Sequence, residues 1–482
     1  MRGKEKLRLK KLPAALTLSA VLVFTGCTAV GPDYVSPKVK VPEKWNGEKS
    51  VNFNNENRLS EQWWELFDDP MLDELIKEAS VSNLDLKEAM ARVDEYRSRL
   101  GVVTGERYPS IGVEGDLLRQ KTSENAGYTG TTNTYKALGL EAGWEIDLFG
   151  RVRRSIEAAK ANYEVVQEDR NDVRISINSR IALNYIKIRT YQARLEASNS
   201  NIELQREVLR ITESRFKYGL ATALEVAQAE QALASSEATV PPLRIQLSEA
   251  INTMAVLLGR NPGELNQLMS EKKSIPVPPA DAAIGVPADI LRQRPDIRSA
   301  ERQLAVETAR VGIAKADLYP QFSLSGSFGY QSVSSGNLFS SGGNYFSIGP
   351  SLRWNIFSGG SILNQIDVQD AIVRQKALQY ESIVLNALNE AENTMTAYTE
   401  DSMRLKHLEK TVEASKKTVK LSLNLYKQGL VDFENVLNSQ LSQFTSEDRL
   451  AQARGDSAED FVRLYAALGG GWNPDSIVKN QK

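Results

Sequence analysis

Residues 134–147 read Thr-Tyr-Lys-Ala-Leu-Gly-Leu-Glu-Ala-Gly-Trp-Glu-Ile-Asp, and from Leu138 onward every second residue is apolar. Leu138, Leu140, Ala142, Trp144 and Ile146 share one parity, while Gly139, Glu141, Gly143, Glu145 and Asp147 share the other. Successive side chains of a strand point to opposite faces, so this segment predicts a strand with one greasy and one wet face. The pattern recurs. Phe322, Leu324, Gly326, Phe328 and Tyr330 oppose Gln321, Ser323, Ser325, Ser327 and Gly329. Phe346, Ile348, Leu352, Trp354 and Ile356 oppose Ser347, Gly349, Ser351, Arg353 and Asn355. Residues 108–118 repeat it more weakly, with Ile111, Val113 and Leu117 against Gly112, Glu114 and Asp116. Strands are thus expected at about 108–120, 134–148, 319–333 and 344–357. Each is long enough to cross a hydrocarbon layer as a tilted strand. A soluble β-sandwich would use the apolar faces as core, but opposite faces of Gly, Ser and acids suit a wet lumen better. The connections 119–133 and 332–343 are rich in Gly, Ser, Thr and Asn and read as exposed loops.

Outward from the strands, the chain repeats itself. Tyr108-Pro109 returns as Tyr319-Pro320, Trp144 as Trp354, Gly219-Leu220 as Gly429-Leu430 and Leu258-Gly259 as Leu468-Gly469, at offsets of 210 or 211. Two copies of one unit, 71–261 and 291–472, are joined by a linker, 262–290, carrying Pro276, Pro278, Pro279 and Pro287. That linker is expected to be irregular and exposed. Within each copy the strands lie between long helices. Ile181, Ile188, Leu195, Ile202, Leu209 and Phe216 fall every seventh residue, as do Val384, Ala391, Tyr398, Leu405, Val412, Val419 and Tyr426. A sustained spacing of seven imposes left-handed supercoiling, and helices over 152–217 and 361–427 would reach roughly 100 Å.

Composition excludes several function classes. One cysteine, Cys27, precludes an intrachain disulfide framework or a multi-thiolate zinc site, and one histidine, His407, precludes a His cluster. A net charge of −2 gives no bulk basic field for nucleic acid. No metal relay or cofactor motif stands out. Residues 1–11 carry six basic residues and one acid, followed by the apolar run Leu12 to Phe24 and then Thr25-Gly26-Cys27. This reads as a secretory signal peptide over 1–26. Small residues before a lone Cys resemble the lipobox of bacterial lipoproteins, which makes Cys27 the lipidated first residue of a segment running to residue 70. Phe24 stands where Leu is usual. Thr28 follows where inner-membrane-retained lipoproteins of this kind usually carry Asp, and so favours the outer membrane. Residues 473–482 form a tail. No mature run of about 18 apolar residues remains, so strands must make any membrane crossing.

Four strands cannot close a barrel, and an open edge in lipid leaves backbone groups unpaired at several kcal/mol each. Two copies give eight strands, whose interior side chains normally fill; three give twelve and leave a passage. The expectation is an α+β membrane protein: a homotrimeric 12-stranded transmembrane β-barrel, four strands per chain, continuous with a coiled α-helical barrel.

The pattern resembles the TolC family of outer-membrane efflux ducts, specifically its lipidated OprM/NodT-like branch. The resemblance covers nearly the whole mature chain. It rests on the Cys27 lipobox, Gly31-Pro32-Asp33-Tyr34, Trp63-Trp64, Asp69-Pro70, and Leu-Arg-Gln-Arg-Pro-Asp-Ile at 291–297, together with the Tyr-Pro pairs, Trp144 to Gly150 and the two Gly-Leu turns. It implies a passive exit duct in the outer membrane, working with a periplasmic membrane-fusion adaptor and an inner-membrane RND-type pump driven by protons. The linker and termini would form an equatorial region. The Gly219 and Gly429 turns become adaptor-facing tips, with Arg215, Lys217, Thr222, Lys427, Leu430 and Val431 as candidate docking positions. Where other family members place aspartate rings at the entrance, this chain has Asn435 and Asn438, leaving Asp432 and Glu434 as candidate substitutes. A protein-secretion duct served by an ABC transporter would share the architecture. An enzyme using Glu141, Glu145 and Asp147 finds no phosphate loop, metal cluster or nucleophile–base pair beside them, and strand parity explains Glu141, Glu145 and Asp147 as lumen-facing. Trp63 and Trp64 read as packing or interface anchors.

Overall fold

A computed structural model describes residues 29–45, 61–126, 130–279, 293–333 and 337–472. Its elements run, after a 3-10 turn at Trp63–Phe67, as α1 (Pro70–Ser82), α2 (Leu84–Gly105), β1 (Ser110–Lys121), β2 (Thr132–Ile146), α3 (Arg151–Lys217), α4 (Ala223–Glu237), α5 (Val240–Leu257) and α6 (Asn266–Met269). The second half continues with α7 (Pro295–Ala316), β3 (Gln321–Val333), β4 (Asn344–Arg353), α8 (Ser361–Lys427) and α9 (Phe433–Ala467). The chain divides into two compact units. One holds the four strands, and the other holds the linker and the helical tips; α3 and α8, each of 67 residues, contribute to both.

In the first unit (residues up to 38, 93–166 and 299–380) the strands form one antiparallel sheet in the order β1-β2-β3-β4. Register aligns the parities of all four strands. Val113 faces Leu140, Leu140 faces Phe328, and Phe328 faces Phe346; one step away Ile111, Ala142, Gly326 and Ile348 form the next row. The opposite face carries Gly112, Glu141, Ser327 and Ser347 in one row. Phe346, Ile348 and Val113 are more than 70% exposed, so the middle of the apolar face is largely uncovered by the described residues.

Both hairpins are anchored alike at their helical ends. The Trp144 indole N–H donates to the Arg107 carbonyl at 3.0 Å, and the Trp354 indole N–H to the Leu318 carbonyl at 3.1 Å. The alternation through Ile356 predicts strand to 357, yet β4 ends at Arg353, paired with Gln321. The residue before Gln321 is Pro320, which has no N–H to extend the ladder. Beneath the sheet α3 and α7 meet through small residues, with Ala158, Ala161 and Val165 against Ala305, Val306 and Ala309. The segment from Ala29 lies across them. Val30 donates to the Phe149 carbonyl, and Arg154 reaches the carbonyls of Val30 and Gly31 and the Asp33 carboxylate. Gly31 has φ +96°, and a Cβ there would fall 2.4 Å from Gly312 Cα, so both the backbone and the close approach require glycine.

In the second unit (residues 39–92, 167–298 and 381 onward) the predicted heptads become buried stripes. Ile181, Ile188, Ile202, Val384, Ala391, Tyr398, Val412, Val419 and Tyr426 are buried, while Phe216, last of its series, is exposed. Trp63 and Trp64 are core residues: their rings meet edge to face at 5.7 Å, and Trp63 lies 6.2 Å from Tyr465. The linker is mostly exposed, as expected, but it is pinned at a few buried points. Over its described residues, 262–279, it includes α6 and buries Leu265, Met269 and Ile275. Side chains satisfy its backbone, with Arg189 donating to the Glu271 carbonyl at 2.7 Å, Gln192 to Met269 at 2.6 Å and Tyr398 to Pro279 at 3.0 Å. A proline-rich strap can be pinned in this way when neighbouring side chains accept or supply the hydrogen bonds it cannot make with itself.

Candidate functional site

The two Gly-Leu tips are built the same way. At the end of α3 the Gly219 N–H donates to the Phe216 carbonyl and the Leu220 N–H to the Arg215 carbonyl; at the end of α8, Gly429 donates to Tyr426 and Leu430 to Leu425. This double bond set is the Schellman stop, which needs a left-handed residue. Gly219 and Gly429 supply it at φ +73° and +74°. Nothing lies within 4 Å of a Cβ at either position, so backbone conformation alone demands glycine there.

Beyond the two stops the next helices start differently. Thr222 caps α4 by accepting from the Glu225 N–H at 3.3 Å, whereas its repeat counterpart Asp432 makes no side-chain cap bond to α9. Asp432, Glu434, Asn435 and Asn438 are all exposed. Glu434 and Asn438 lie four residues apart and Asn435 and Asn438 three apart, so they share one face of the first turns of α9. That face is opposite Phe433 and Val436, which are buried with Val208, Ala229 and Tyr426 in a core joining the tips.

Arg215 clasps the two tips. Its guanidinium donates to the Leu220 carbonyl of its own turn and to the Lys427 carbonyl of the other, both at 3.2 Å, and stacks 4.6 Å from the Tyr426 ring centre. Tyr426 in turn donates its hydroxyl to Glu225 at 3.1 Å. Burial, then the neighbouring Glu225 carboxylate, hold the Tyr426 phenol above its ordinary pKa, offset in part by Thr212 and Arg215, so it stays a donor. Arg215 is therefore half-buried and engaged, whereas Lys217, Thr222, Lys427 and Leu430 are exposed, Thr222 being held by its cap to α4; Val431 is half-buried against the tip core. The heptad spacing identifies Tyr426 only as a core position, and nothing in it points to Glu225. A glutamate three residues beyond the capping Thr222, beside a repeat-related tip, is the signal in the sequence that could have found it.

The acids weighed for catalysis have other tasks. Glu145 binds the Arg151 guanidinium through both oxygens, at 2.7 and 2.5 Å. Asp147 accepts from the N–H groups of Val152 and Arg153 at the start of α3, where a carboxylate also favours the helix dipole. Glu141 lies in the row of Gly112 and Ser327 on the wet face. No group of three His, Cys, Asp or Glu side chains that could hold a metal occurs among the described residues. No described helix is long and apolar enough to cross a membrane. Cys27 lies outside the described residues.

A sheet with one wet face and one apolar face that is exposed or half-buried throughout defines a membrane-inserted β protein. The family model described as outer membrane efflux protein matches residues 75–260 and 286–470, one segment per repeat, and the chain belongs to that family. Nodulation protein T of Rhizobium leguminosarum bv. trifolii is 31% identical over 94% of this chain and 96% of its own length. The probable efflux pump outer membrane protein TtgC of Pseudomonas putida is 29% identical over 95% and 96%. Among solved structures, the outer-membrane channel OprN is 34% identical with a TM-score of 0.85, covering 92% of this chain and 99% of that one. The resemblance to TolC-family ducts of the OprM/NodT type thus holds, and the chain's role is that of an outer-membrane exit duct.

Proposed function

We propose that three copies of this chain close a twelve-stranded barrel in the outer membrane, continuous with a helical tunnel, and passively release small toxic molecules. A periplasmic adaptor and a proton-driven inner-membrane pump of the RND type deliver them. The observation that carries this reading is the four-stranded sheet whose apolar rows run unbroken from β1 to β4 and whose outer edges have no partner strand among the described residues. In lipid such edges must be paired, and pairing β1 of one copy with β4 of the next does so for any closed ring.

In this reading Cys27, the first mature residue after a signal peptide at 1–26, carries the lipid anchor. The packing of Ala29 against Gly150, four residues beyond the end of β2, supports it. The tips form the adaptor end. Lys217, Gly219, Thr222, Lys427, Gly429, Leu430 and Val431 contribute docking surface, and Arg215 sets the spacing of the two turns. Asp432, Glu434, Asn435 and Asn438 line the entrance, with the two acids supplying the charge that the asparagines lack. Photo-crosslinkers at Lys217 and Lys427 in cells test the partner. Capture of an adaptor paired with a proton-driven pump supports efflux; capture of one paired with an ABC transporter replaces it with protein secretion.

A further inference from the structure

On the apolar face of the sheet the chemistry changes abruptly toward the hairpin loops. Lys136 stands directly opposite Leu117, in the row next to Gly115, Leu138 and Tyr330. Arg119 and Lys121 continue the parity of Leu117 along β1, opposite Thr134 and Thr132. Strand geometry sets Arg119 about 7 Å from both Lys136 and Lys121, the separation that lets neighbouring cations share one phosphate-bearing group. None of the three forms an ion pair among the described residues. Residues 122–135 contain a single acid, Glu124, and residues 333–355 contain none, so a neighbouring copy's β4 brings no counter-charge either.

Height on the sheet identifies the partner. Trp144, whose indole N–H is bound to the helix end, and Lys136 share one face of β2, eight residues apart. That is about 27 Å along an antiparallel strand and about 21 Å at a tilt of 40°, close to the apolar band of about 25 Å that outer-membrane barrels present. The cations therefore emerge where hydrocarbon gives way to headgroups on the side of the hairpins. On β3 the row next to that of Lys136 carries Tyr330, which meets Phe339 of the β3–β4 connection edge to face at 5.4 Å, and neither is charged. Each chain thus offers one cationic and one aromatic sector.

We propose that Arg119, Lys121 and Lys136 form a binding surface for the phosphorylated glycolipid headgroups of the outer leaflet. This rests on the reading of the sheet as a membrane barrel with its hairpins outward. The test uses the full-length protein in phosphatidylcholine nanodiscs doped with bisphosphorylated lipid A, with retained lipid counted by native mass spectrometry. The wild type should retain lipid A in preference to phosphatidylcholine. R119Q/K121Q/K136Q should lose that preference roughly fivefold per neutralised cation near the surface. K121R/K136R should keep it, and dephosphorylated lipid A should show none. A triple variant that assembles normally and retains lipid A like the wild type overturns the proposal, leaving the cations as edge protection for β1. Stronger retention of phosphatidylglycerol than of lipid A overturns it in favour of generic anionic lipid. Conductance of the same preparations in planar bilayers separates the two readings: absence of channels in the wild type indicts the duct, while normal channels with unchanged lipid preference indict only the headgroup surface.

Discussion

Arg215 shows how much a single residue does at the tips, since one planar cation ties two turns that are 210 residues apart in sequence. R215A removes two backbone hydrogen bonds and the stacking on Tyr426. If these tips bound the entrance, the variant should show higher mean conductance or more frequent opening in planar bilayers, with the sheet unaffected. D432A/E434A should instead weaken cation preference while leaving opening frequency alone; unchanged preference would remove both acids from the entrance. Gly429→Ala meets no side chain, so its cost is the left-handed backbone alone, about 1–2 kcal/mol, read as a lowered thermal midpoint in detergent. A different residue contributes to the pH response. Burial, then the facing carboxylate of Asp401, push the Asp460 carboxyl up to about 7, offset in part by Arg463. The folded state therefore holds a proton that the unfolded chain releases near pH 4, so stability falls as pH rises from about 4 to 7 and stays low above it. The thermal midpoint should drop between pH 6 and pH 8, and D460N should flatten that drop.

At the level of elements, the strands were legible because period-two alternation over ten residues arises from little else than a half-wet strand, and register then extended it into rows across the sheet. A charge set into one of those rows should be costly. F328R or L140R, at mid-height on the apolar face, should reduce folding stability in lipid vesicles by about 2–4 kcal/mol, while S327R on the wet face should cost little. Equal costs for both faces would mean that the sheet is not lipid-facing. The heptad helices were equally legible, and their stripes are buried almost throughout. Other features lay beyond sequence reading. The end of β4 depends on Pro320, just before its neighbour β3, and the pinning of the linker at Leu265, Met269 and Ile275 goes with Arg189 and Gln192 reaching its carbonyls from α3. Both are fixed by distant residues and leave no local periodicity. The tip glycines were readable from their repeat, whereas the Arg215–Tyr426–Glu225 clasp was not, because three-dimensional proximity of the two turns creates it.

For the whole molecule, the proposed assembly rests on the sheet edges. A lone chain presents about ten to twelve residues of unpaired backbone on each side of its sheet, in an environment where each unmet group costs several kcal/mol. Closure by identical copies removes both edges at once, and three is the smallest number that leaves a passage. Disulfide trapping between β1 and β4 reads this directly. With one cysteine at Val113 and a second scanned over residues 345–349 of the same chain, oxidation in outer membranes should yield a covalent trimer at one or two registers, released to monomer by reductant. A ladder of open-ended polymers, a covalent dimer, or intact monomer at every register would contradict a closed ring of three.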